Sequence, residues 1–227
     1  MTTLSEQAYR TIKADIIRGI LRPDQQITQA AIVEQYDLSL AAVRDALQQL
    51  ANEGFVRSIP RYGYLISPIT ISDVYEIYEL RIPVEVTAAR LATERATEAA
   101  LARIAEDASY TYVYKDIDSY SRFLKYNTDF HRAIAEATGN GRLVRVLSQL
   151  LDESDQIFHL ALDLKDGAQE TLTEHMELAQ ALKDRDPDRA EVLAREQIER
   201  SLEVVLAAVT RRGTVASSSQ LGRAITT

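Results

Sequence analysis

The sequence predicts a mainly α-helical protein in two parts, an N-terminal winged helix-turn-helix domain and a C-terminal all-α antiparallel helical bundle. Three observations lead there. Between Thr28 and Ile66, two short helical runs broken at Tyr36, Asp37 and Leu38 are followed by two β-rich stretches. From Ser72 to Arg212, long amphipathic stretches follow one another, with polar, Gly or Pro residues gathered at the turns. Eight Gly, five Pro and no biased tract before the end argue against a disordered chain or a repeat array.

The first element is a helix over Ser5–Gly19, with Tyr9, Ile12, Ile16 and Ile17 on one face. Leu21-Arg22-Pro23-Asp24 turns into the motif. Ala30, Ala31, Val33 and Glu34 form its first short helix. Ser39 offers a hydroxyl to the free backbone N–H groups of the second. Leu40, Val43, Leu47 and Leu50 predict the buried stripe of that second helix, and Ala41, Arg44, Asp45 and Gln48 its small or polar opposite face. Gly54 ends the helix. Phe55 to Ile59 and Tyr64 to Ile66 then make two strands joined through Pro60, Arg61, Tyr62 and Gly63. Such an arrangement can place its second helix in a DNA major groove. It also recurs in small packing domains, so the pattern alone does not choose.

The expected boundaries are 1–67 for the winged domain, 68–71 for a linker, 72–212 for the helical domain and 213–227 for a Ser/Thr-rich disordered tail. Six helices are expected in the second domain, at about 72–94, 96–114, 118–138, 140–163, 168–185 and 187–211. Pro83 should kink the first, and Pro187 suits the first turn of the last.

The formal net charge of −8 is unevenly distributed. Residues 1–70 carry seven basic and seven acidic side chains, so the whole excess of acid lies beyond them. The first part can still present Arg10, Arg44, Arg57 and Arg61 locally, and phosphate attraction is short-ranged at physiological salt. A neutral domain predicts modest, salt-sensitive affinity per subunit, which a homodimer would raise. No apolar run approaches the ~20 residues of a membrane span. No signal-peptide layout opens the chain. With no Cys, disulfides and thiol chemistry are excluded, and a cytoplasmic location fits best.

Gly19, Pro23, Ser39, Val43, Arg44, Ala46, Leu47, Leu50, Glu53, Gly54 and Gly63 stand at the spacing of the GntR family of bacterial transcription regulators, whose winged helix this segment resembles. The stretches ELRIPVEVTAARLA at 79–92, DFHRAIAEATGN at 129–140 and EHMELAQALKDRDPDRA at 174–190 resemble the FCD effector domain of the FadR-type branch. The resemblance covers nearly everything but the tail. It implies a homodimer on double-stranded operator DNA, with a small-molecule effector, usually an organic acid, in the bundle and no membrane partner.

The resemblance also assigns residues, and the chain departs from several. Ser39, Ala41, Arg44, Arg57, Arg61, Tyr62 and Gly63 are the candidate DNA-contacting positions. However, Leu40 replaces a usual Arg, Ala41 and Ala42 stand where a Pro is common, and Ala30 stands at an often basic position. The FCD pattern implies a divalent metal such as zinc or nickel, held by an Asp and three His. Here those positions are Asn127, His131, His175 and Gln197, so two imidazoles remain beside two neutral amides. Amide carbonyls bind first-row metals weakly. The four groups therefore read either as a weakened metal site or as hydrogen-bonding partners of an oxygen-rich effector. Arg81 matches a position often aimed into the pocket, where it would grip a carboxylate, but its spacing equally suits an ion pair with Glu85. His159 matches no ligand position and reads as structural.

Two alternatives to a ligand-responsive regulator, expected to repress, stay open. An enzyme using the His131/His175 site lacks any visible nucleophile–base pair, and Asn127 and Gln197 do not titrate. A degenerate regulator acting by protein contact is kept alive by Leu40 and Ala30.

Overall fold

In the computed structural model, residues 3–160 and 168–221 are described. The chain divides into two compact units, Met1–Ile69 and Thr70–Thr227.

The first unit contains α1 (Leu4–Ile17), β1 (Gln26–Ile27), α2 (Gln29–Tyr36), α3 (Leu40–Asn52), β2 (Val56–Ile59) and β3 (Gly63–Ile66). Each helix starts on a hydroxyl: Thr3, Thr28 and Ser39 accept the N–H of Glu6, Ala31 and Ala42 respectively. Asp37 closes α2 in the left-handed region, which makes the sharp turn into α3. Ile12, Ile16, Ile32, Val43, Leu47 and Leu50 fill the core between the helices, and Phe55, Val56 and Ile66 seal it from the sheet. Tyr9 and Lys13 of α1 both donate to the Glu53 carboxylate at the end of α3, at 2.8 and 2.9 Å.

Two expectations need correction here. Leu40 does not belong to the buried stripe: it is 58% exposed, and Ala42 and Ala46 complete the stripe instead. Leu40 sits on the first turn of α3. The sheet has three strands, in the order β1-β3-β2, not two. The extra strand is only two residues long, Gln26 and Ile27 opposite Leu65 and Tyr64.

The second unit is a bundle of α4 (Ile71–Arg95), α5 (Glu98–Ala108), α6 (Ile117–Ala137), α7 (Gly141–Leu160), α8 (Ala168–Lys183) and α9 (Pro187–Leu221). A reciprocal capping box opens α4: Thr70 Oγ1 accepts the Asp73 N–H at 3.1 Å, and Asp73 accepts the Thr70 N–H at 2.7 Å. That places the helix start within the expected 68–71 linker. α4 runs on through Pro83 and packs along α9. Small residues, Ala88, Ala89, Ala92, Ala133, Ala181, Ala190 and Ala194, dominate the shared core and let the helices approach closely.

The helix expected over 96–114 ends at Ala108. Ser109 Oγ donates to the Glu106 carbonyl, and the aromatic, β-branched run Tyr110–Tyr114 that follows has poor helix propensity. Of the expected tail, residues 213–221 continue α9 to Leu221. Extending a formed helix avoids the cost of nucleating one. The rest of that tail, and the end of the helix expected over 140–163, lie outside the described residues.

Candidate functional site

The first unit presents one polar face. Ser39, Ala41, Arg44, Asp45 and Gln48 of α3 are exposed, with Leu40 among them. Arg44 lies 3.4 Å from Asp45 with both side chains largely in solvent, too loose and too wet to fix its guanidinium. Arg57 on β2 and Arg61 and Tyr62 at the wing tip are also exposed, whereas Arg10 pairs with Glu6 on its own helix. Arg61 takes a left-handed conformation in the turn, closed by the Tyr62 N–H donating to the Ile59 carbonyl at 3.0 Å. Gly63 has an internal explanation. Its φ is +102°, and a Cβ there would lie 2.4 Å from the Ile27 carbonyl oxygen, so glycine is what lets β1 pair with β3. Its place in the wing is explained without any contact to DNA.

The second unit hides polar groups in its core. Arg81 and Glu85, one turn apart on α4, are nearly fully buried and form an ion pair. Arg81 Nε and Nη2 both reach Glu85 Oε1 at 2.8 Å. Glu85 Oε2 accepts from His131 Nδ1 on α6 at 2.6 Å. The i,i+4 pairing that the sequence left open therefore forms, but inside the bundle and shared with a histidine. Burial alone would raise the Glu85 carboxyl; His131 and Arg81 outweigh it and hold the group down at about 2. The guanidinium also lies over the Tyr78 ring, 5.0 Å from its centroid, and the Tyr78 hydroxyl bonds Ser201 of α9 at 2.7 Å.

His175 on α8 lies beside this network, its ring centroid 5.6 Å from that of His131 and 4.4 Å from that of Phe130. Burial, helped by the positive potential of His131 and opposed by Glu85, pushes His175 down to about 3, so it is a neutral imidazole. His175 Nε2, Gln197 Oε1 and Arg81 Nη1 are buried without a hydrogen-bond partner. Of the predicted effector positions, Arg81, His131, His175 and Gln197 are thus buried in the bundle, while Asn127 is half-buried one turn before His131.

Glu85, His131 and Gln197 line a small cavity, walled by Ala88, Ala89, Ile134, Leu147, Leu178 and Ala194, with about 10 Å³ of room for water centres. That space suits roughly one water molecule. Gln197 also borders an outer groove of about 320 Å³ between α8 and α9, rimmed by Glu170, Glu174, Glu177, Glu196 and Arg200. Gln197 lines both.

Two residues of this core were not foreseen as functional. Glu85 entered only as a possible ion-pair partner of Arg81, and Asp155 was not singled out. Asp155 accepts from Thr128 Oγ1 at 2.6 Å, joining α7 to α6. Burial pushes its carboxyl up to about 7, against the Thr128 bond and with help from Asp152.

The donor set does not suit a first-row divalent ion. Among the described residues, no group of three or more His, Cys, Asp or Glu side chains is placed to hold one. His131 already spends Nδ1 on Glu85, Asn127 and Gln197 offer only neutral amides, and the Arg81 guanidinium stands in the same network.

The fold is a winged helix-turn-helix unit and a helical bundle with unpaired polar groups in its core. Residues 4–66 match the gntR family of bacterial regulatory proteins, and residues 76–200 match the FCD domain. Among curated relatives, the transcriptional repressor GlaR of Escherichia coli is 26% identical over 206 residues, covering 87% of this chain and 94% of its own. The uncharacterised transcriptional regulator YdhC of Bacillus subtilis is 26% identical over 190 residues, covering 81% and 83%. In structure the chain is similar to McbR/YncC of E. coli, with TM-score 0.79, 21% identity and coverage of 90% and 98%. A GntR regulator from Rhodococcus sp. RHA1 gives TM-score 0.73 at 21% identity, with coverage again 90% and 98%. The chain belongs to the GntR family of transcription regulators and carries an FCD effector domain. Among the described residues, no helix is long and apolar enough to cross a membrane.

Proposed function

We propose that this chain is a homodimeric repressor whose operator affinity is set by a small organic acid held in the FCD core. One observation carries the reading. A bundle core that buries an arginine, two histidines and a glutamine, and leaves Arg81 Nη1, His175 Nε2 and Gln197 Oε1 unpaired, is costly for stability and complementary to a polar ligand. Ser39, Ala41, Arg44, Arg57, Arg61, Tyr62 and Gly63 remain the DNA-contacting candidates, with Arg44 aimed at a base edge or phosphate and the wing residues at the backbone. The polar face of α3 and the exposed arginines support that assignment, and the relatives named as repressors support the sign of regulation. The chain acts where its operator is, in the cytoplasm, and catalyses no reaction.

The test is fluorescence anisotropy with labelled duplexes tiled across the DNA upstream of its own coding sequence. One duplex should bind well above the rest, with an affinity that falls steeply between low and physiological salt. Equal, weak binding to every duplex would count instead for a regulator acting through protein contacts.

A further inference from the structure

We infer that Leu40 sets part of this chain's operator specificity, by packing against the C5-methyl group of a thymine in the major groove. The inference rests on the DNA-binding reading above and narrows it to one base pair. Among the described residues, Leu40 is the only large apolar side chain exposed on α3, and it is 58% exposed. It stands on the first turn, the part of a recognition helix that meets the base edges. That turn is held in place: Ser39 Oγ accepts the Ala42 N–H at 3.3 Å, and Ala42 and Val43 are buried in the core. The direction of Leu40 is therefore fixed before any DNA arrives. Around it the face is small or polar, with Ala41, Arg44 and Gln48 exposed.

The chemistry of the groove selects the partner. Guanine, adenine and cytosine present hydrogen-bond donors and acceptors at the major-groove edge. An apolar side chain pressed on them strips their water and returns no hydrogen bond. Thymine alone presents a methyl group there. Packing that methyl on Leu40 removes apolar surface of both from water. Ala41 beside it is exposed and small, which leaves the backbone room to approach. The Arg expected here from the family resemblance would instead take a guanine edge. The chain thus changes the base that its first turn favours and keeps the contact. Arg44 lies one turn further along the same face, about 6 Å along the axis. With base pairs about 3.4 Å apart, Leu40 and Arg44 address positions about two base pairs apart.

The experiment uses the full chain and the labelled duplex that binds best in the tiling series. Each thymine is replaced in turn by deoxyuridine, which removes only the C5-methyl, and Kd is measured by anisotropy for the wild type and for Leu40→Ala. Because Leu40 is exposed, the variant should keep the wild-type Tm, which thermal unfolding checks. In the wild type, one thymine in each half-site should respond, its loss of a methyl raising Kd about fourfold. Leu40→Ala should bind the thymine and deoxyuridine duplexes equally at that position, and Leu40→Arg should move the preference there to a G·C pair. Selective binding in which no thymine responds, or a response that persists in Leu40→Ala, would overturn the inference and leave the regulator reading standing. Equal, weak binding to every duplex would sink that reading and the inference with it.

Discussion

Removing Glu85 should damage the bundle far more than removing Glu85 and Arg81 together. In Glu85→Ala, the guanidinium stays in the core with its counter-charge gone and Nε and Nη2 losing the acceptor that Nη1 already lacks. Breaking one side of a buried ion pair costs about 3–5 kcal/mol. The pair is 2% and 5% exposed, so solvent cannot recover much of that. With about 2–4 °C of Tm per kcal/mol for a unit of this size, the midpoint should fall by roughly 6–20 °C. In Arg81→Met/Glu85→Met the charge is gone from both sides, and apolar replacements of a buried pair are often neutral. What persists is the His131 Nδ1–H without its acceptor, worth about 1–3 kcal/mol. Urea unfolding followed by circular dichroism at neutral pH measures both variants. The double variant should be more stable than the single by at least about 1.5 kcal/mol. If the double loses as much as the single, the buried pair is not the electrostatic unit described above.

Asp155 predicts a pH dependence of the opposite sign to that of an ordinary paired carboxylate. Its folded pKa of about 7 lies above the 3.8 of an ordinary Asp, so the unfolded chain binds fewer protons between those values. This group's contribution is fully present below pH 3.8 and is lost as pH rises to about 7. Asp155→Asn should therefore exceed the wild type in stability at pH 8, with the gain shrinking towards pH 5; equal pH profiles would refute this. Gly63→Ala should destabilise the winged unit by more than the roughly 1–2 kcal/mol of a left-handed non-glycine residue, because the Ile27 carbonyl must also move. Calorimetry would show no such loss if the β1–β3 pairing were dispensable. Arg44→Ala should weaken specific DNA binding by about 1–3 kcal/mol if it reads a base, or lower the salt slope by roughly 1 if it contacts phosphate. An unchanged isotherm would remove it from the interface. Asn127→Asp/Gln197→His should gain zinc that the wild type does not hold, read by elemental analysis, if amide substitution is part of what excludes the ion.

The winged unit was legible because its signals are local. Ser39 and Thr28 cap, Gly54 stops, and the spacing of Val43, Leu47 and Leu50 faces one core. β1 was not legible, since two residues carry no periodicity and become a strand only by pairing with Tyr64 and Leu65. Leu40 shows the limit of spacing rules, which give a residue's direction but not whether a neighbour lies there. The effector core was half legible. Arg81, His131, His175 and Gln197 were found through the resemblance, but the role of Glu85 was not. An i,i+4 pair looks the same on a surface helix as in a core, and only the packing of α4 against α6 and α9 buries it. Asp155 was hidden for the same reason, since nothing in an acidic, helix-forming stretch marks which carboxylate turns inward.

The most direct test of the central claim is the affinity for the operator duplex found by tiling, measured by anisotropy with and without a carboxylate that stabilises the chain. Coupling of about 1–3 kcal/mol predicts a change of roughly 5–150-fold in operator Kd, lost in Arg81→Lys. The same Kd with and without a bound, stabilising acid would contradict the account, because a ligand with equal affinity for both states shifts nothing.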